Sequence, residues 1–80
     1  MAEQKAIDVW GRLEVEWKEA LDAAASRQRE YDAKMTNHLV YHFAAPQLQE
    51  LDEIGGLWQT VAEKRRAADQ FIREYSANSA

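Results

Sequence analysis

Apolar and small residues in the first part of the chain fall at Trp10, Leu13, Trp17, Ala20, Ala24, Tyr31 and Met35, at spacings of three, four and their multiples. That is the stripe of a helix with a near-heptad period. Arg27 interrupts the stripe, and Arg12, Glu14, Glu16, Lys18, Glu19, Asp22, Arg29 and Asp32 between its members form a solvated face of mixed sign. The pattern predicts a helix over about 3–34, which at 1.5 Å per residue is about 45 Å long. A second stripe runs through Leu48, Leu51, Ile54, Trp58, Val61, Ala68, Ile72 and Tyr75, interrupted by Arg65. It predicts a helix over about 46–75, with a frayed tail at 76–80.

Between them, 36–45 reads as a short helix or a compact connector. Thr36 and Asn37 suit an N-cap, and Pro46 is the only proline. Proline disfavours helical geometry in the residue before it and is welcome at a first helical position, so the second helix is expected to begin there. Glu50, Asp52 and Glu53 then lie in its early turns, where the helix dipole favours negative charge.

Two long helices and so short a connector make an antiparallel hairpin. Folding about residue 40 sets residue i opposite roughly residue 80 minus i. Trp10 then comes near Phe71, and Trp17 near Val61 or Lys64. Ala23, Ala24 and Ala25 come to face Gly55 and Gly56. Each mid-helix glycine costs about 1 kcal/mol relative to alanine, so the pair calls for a reason. Close helix packing with Ala24 is one; a kink, a break or a hinge is another.

Composition narrows the class. Three Gly, one Pro, no Cys and 46% apolar residues in 80 belong to an all-α protein held by neither disulfides nor a cysteine zinc site. A chain this short has a high surface-to-volume ratio, which leaves oligomerisation as the remaining means of stabilisation. Ile7, Val9, Val15, Leu21, Leu57 and Phe71 fall off the main seams. A second hairpin would bury that surplus, so the expectation is a single helical domain that dimerises into a four-helix bundle.

The net charge is −4, which repels phosphate backbones and anionic lipid at long range. Met1 to Lys5 shows no basic segment leading into an apolar run, and no apolar run approaches the roughly 20 residues a membrane span needs. The expected partners are a second copy and another protein, without nucleic acid or membrane, and the expected location is cytoplasmic.

Candidate chemistry is sparse. His38 and His42 stand at i and i+4, the half-site spacing of a helical metal site, but Leu39 and Val40 occupy the places where a catalytic glutamate would stand. Lys64, Arg65 and Arg66 form a basic cluster flanked by Glu63 and Asp69, a solvated helix face by default and a phosphate contact as the alternative. No set of nucleophile, base and orienting acid is visible, and no cofactor is implied. The aromatic residues Trp10, Trp17, Tyr31, Trp58, Phe71 and Tyr75 suit either a core or a self-association surface, since Trp and Tyr anchor protein interfaces. The sequence therefore points to a non-catalytic protein–protein interaction module, a homodimeric adaptor, inhibitor or chaperone-like protein. A metal-binding bundle using His38 and His42 is the alternative, followed by a small nucleic-acid-associated regulator.

Overall fold

No proline or glycine interrupts the chain from Arg12 to Ala45, and a single helix, α1, runs over Ala2–Tyr41. After a six-residue connector the second helix, α2, covers Leu48–Ser79. The structure, a computed structural model, describes residues 2–79. The two helices pack antiparallel as a hairpin measuring 59 × 16 × 16 Å. Forty residues of helix span about 60 Å, so α1 sets the length of the molecule. The radius of gyration is 18.2 Å, against about 12 Å for a globular chain of this size.

The boundaries differ from the sequence reading in three places. The segment 36–45, expected as a short helix or a compact connector, is divided: α1 absorbs Thr36 to Tyr41 instead of stopping near Lys34, and only the residues from His42 on form the connector. The amides of Thr36 to Tyr41 continue the helical ladder, so no new N-cap is required. α1 ends at His42, whose φ of 60° lies in the left-handed region. The His42 amide donates to the His38 carbonyl at 3.1 Å, the single bond of a left-handed helix cap. Pro46 belongs to the connector, and α2 opens two residues later with a tight bond from the Glu50 amide to the Gln47 carbonyl. The tail expected to fray is helical through Ser79, since nothing in Ser76–Ala77–Asn78 breaks a helix; Ala80 lies outside the described residues.

The core is thin. Among the described residues only Ala24, Ile54, Val61 and Ala68 are buried. They lie on two columns with seven-residue spacing, Trp10, Trp17, Ala24, Tyr31 and His38 on α1 and Ile54, Val61, Ala68 and Tyr75 on α2. The register agrees with folding about residue 40: Trp10 stacks on Phe71 with ring centroids 6.1 Å apart, and the Arg65 guanidinium lies 5.0 Å over the Trp17 ring.

α2 is rotated by one column from the expected seam. Leu57 and Phe71, assigned off the seam, are half-buried, whereas Leu51, Trp58 and Ile72, assigned to it, are exposed. The rotation brings Glu50 and Lys64 to the edge of α1. There Lys34 pairs with Glu50 at 2.7 Å and Lys64 with Glu16 at 3.6 Å. Arg27 pairs with Glu53 at 3.1 Å on the same side.

Gly55 and Gly56 are not the packing notch expected opposite Ala24. Both are exposed, and a Cβ at either position would meet nothing within 4 Å. Ile54, 3% exposed, faces α1 at this level. The pair is no break either, since α2 passes through it without interruption.

Candidate functional site

The two sides of the hairpin differ in kind. One side is closed by the three ion pairs Lys34–Glu50, Arg27–Glu53 and Glu16–Lys64. The hydrogen bond from Lys34 holds the Glu50 carboxyl below the usual carboxylate range, against its partial burial, which pushes it up.

The other side carries the columns Ile7, Glu14, Leu21, Gln28 and Met35 from α1 and Leu51, Trp58, Arg65 and Ile72 from α2. Ile7, Met35, Leu51, Trp58 and Ile72 are all exposed there, Trp58 at 38% and Ile7 at 62%. Two cross-helix contacts fix this face. The Trp58 indole Nε1 donates to Gln28 Oε1 at 3.2 Å, and Arg65, also paired with Asp69 at 3.2 Å, covers Trp17. The Trp58 indole and the Arg65 guanidinium are thereby tied within the hairpin, while Ile7, Met35, Leu51 and Ile72 stand open to water.

The two ends of the hairpin differ, and the groove at one of them adjoins the open face through Ile7. At the end holding both termini, Glu3, Ala6, Ile7, Trp10, Phe71 and Tyr75 line an open groove of about 390 Å³. Phe71 stacks on Tyr75 with centroids 6.0 Å apart, continuing the Trp10–Phe71 pair. At the opposite end the chain from Met35 to Gln49 contains no Asp, Glu, Lys or Arg. Leu39, Val40, Tyr41, Phe43 and Leu48 project there, Leu48 at 78% exposure, and the Tyr41 and Phe43 rings lie 5.9 Å apart.

The expected aromatic site is thus divided. Trp10, Phe71 and Tyr75 come together at the terminal end, while Trp17 and Tyr31 are half-buried along the seam and Trp58 stands on the open face. Of the aliphatic members of the open face, Ile7 and Leu21 belong to the surplus expected to meet a second hairpin, whereas Met35, Leu51 and Ile72 were assigned to the seams. The signal that identifies them is their seven-residue recurrence beside the central columns, a second stripe next to the first.

The histidines do not share a helix face. His42 leaves the helix at its left-handed φ, and His38 Nδ1 lies 2.6 Å from the Phe43 carbonyl oxygen. A carbonyl only accepts, so Nδ1 carries the proton and donates, and His38 fastens the connector to α1. Among the described residues no group of three His, Cys, Asp or Glu is placed to hold a metal ion. The basic cluster is also dispersed, Lys64 toward Glu16 on one side and Arg65 over Trp17 on the other. Among the described residues no helix is long and apolar enough to cross a membrane. No protein-family model, curated protein or solved structure matches the chain.

Proposed function

We propose that the protein is a non-catalytic protein–protein interaction module that works as a homodimer, two hairpins closing into a four-helix bundle. The observation that carries this reading is the open apolar face beside Trp58, on a hairpin whose own core is so thin. The chain exposes 6300 Å², against about 4900 Å² for a folded monomer of its mass. The excess of about 1400 Å² follows from the rod shape and is of the size one partner contributes to an obligate interface, which buries about 2000–5000 Å² in total. The hairpin is 59 Å long and 16 Å across, so one whole side of it has room for a contact of the roughly 800 Å² per partner that a standard complex buries. A bundle built in this way would present a rigid, acidic outer surface to a further protein, as an adaptor, inhibitor or escort does.

The test is the solution mass by light scattering across a dilution series. The native chain is expected at twice its 9.2 kDa, and the Leu51→Glu, Ile72→Glu double variant at the monomer mass. A native chain that stays monomeric at every concentration removes the reading.

A further inference from the structure

We infer that the two hairpins pair antiparallel, with the two-fold axis crossing the open face at Leu21, so that the uncharged connector end of each copy closes the aromatic groove of the other. The inference rests on the homodimer proposed above and adds its arrangement. A two-fold axis lying in the face has two settings. Along the rod it sets α1 opposite the partner's α2 with like ends together; across the rod it sets α1 opposite the partner's α1 with unlike ends together.

The columns of the face are compatible with the second setting all along their length. The contacts of Trp17 with Arg65 and of Gln28 with Trp58 bracket Leu21 at a level between Trp58 and Arg65. Reversal about that level brings Leu21 onto the partner's Leu21, Ile7 onto the partner's Met35 and Leu51 onto the partner's Ile72. The polar positions also match. Glu14 meets the partner's Gln28, whose Nε2 spends one proton on Asp32 at 3.0 Å and has a second to donate. Trp58 meets the partner's Arg65, so that the guanidinium lies between two indole rings.

The ends decide between the settings. With like ends together, groove meets groove and the projecting connector side chains meet each other, so the concave parts stay unfilled. With unlike ends together, Leu39 and Leu48, at the flank of the face, arrive at the levels of Glu3 and Tyr75 in the partner's groove. A convex apolar end meets a concave one, and the neutral stretch from Met35 to Gln49 brings no unmatched charge into it.

The native chain has no cysteine, so single-cysteine variants report the arrangement directly. Ile7→Cys and Met35→Cys chains are mixed, confirmed helical by circular dichroism and treated with a short bismaleimide; Leu21→Cys is treated alone, and an Ile7→Cys with Ile72→Cys mixture serves as the parallel control. The expected result is efficient linkage of the Ile7→Cys chain to the Met35→Cys chain and of Leu21→Cys to itself, with at least tenfold less in the control. Linkage predominantly in the control, or a dimer by light scattering that links in none of the three, overturns the antiparallel arrangement and leaves the homodimer standing. A monomer by light scattering overturns both.

Discussion

Replacing Gly55 and Gly56 by alanine tests the energetic consequence of their exposure. In the hairpin a Cβ at either position meets nothing within 4 Å, and neither glycine has a positive φ. The substitution therefore adds no clash and removes only the backbone entropy that glycine loses on folding, about 0.8–1.0 kcal/mol per site in a helix interior. Together the two changes should stabilise the fold by about 2 kcal/mol. For a chain of this size each kcal/mol moves the melting temperature by about 4–8 °C, so the double variant should melt on the order of 10 °C higher. The assay is thermal denaturation followed by circular dichroism at matched protein concentration, since a dimer's melting temperature depends on concentration. Gly56 gives the cleaner reading, because heptad geometry turns it away from both α1 and the open face, whereas Gly55 flanks that face. A Gly56→Ala variant that melts at or below the parent temperature refutes the reasoning and returns the glycine to a packing or hinge role.

Other consequences follow from the same geometry. Ile54→Ala removes one of the few buried side chains and should cost about 2–4 kcal/mol in urea denaturation. His42→Gly should stabilise the fold by about 1 kcal/mol, because glycine adopts the left-handed cap without the penalty a side chain meets there; chemical denaturation checks it. Glu50 has its pKa depressed in the folded chain by Lys34, so its contribution is present above the unfolded carboxylate pKa of about 4.3 and is lost as pH falls through the lower folded value. Acid unfolding of Glu50→Gln should accordingly show a shallower dependence below about pH 4 than the native chain does.

The hairpin was legible in the sequence because both helices carry long heptad stripes and the connector holds the only proline. The register was legible as well, since a short connector fixes which residues face each other, as Trp10 and Phe71 do. The rotation of α2 was not. Leu51, Trp58 and Ile72 on one flank and Leu57 and Phe71 on the other are equally apolar, and the choice between them falls to pairings such as Lys34–Glu50 across the helices. The open face was legible only in part: Ile7 and Leu21 stood out as surplus for a second hairpin, while Met35, Leu51, Trp58 and Ile72 had been spent on the seams. The end of α1 was misplaced because Thr36 and Asn37 can cap a helix but also continue one, and no local signal marks His42 as a left-handed residue.

The antiparallel contacts also imply an order of events along the rod. Lys34 and Glu50 are 16 residues apart in the chain, whereas Trp10 and Phe71 are separated by about four times as many, and the entropy of closing the longer loop costs about 1 kcal/mol more. Interhelical contact therefore nucleates beside the connector and zips toward the termini. The aromatic groove is the last part of the hairpin to close and the first to reopen. Native-state hydrogen exchange should register this as protection that falls, along the seam, from Tyr31 and Ile54 toward Trp10 and Phe71.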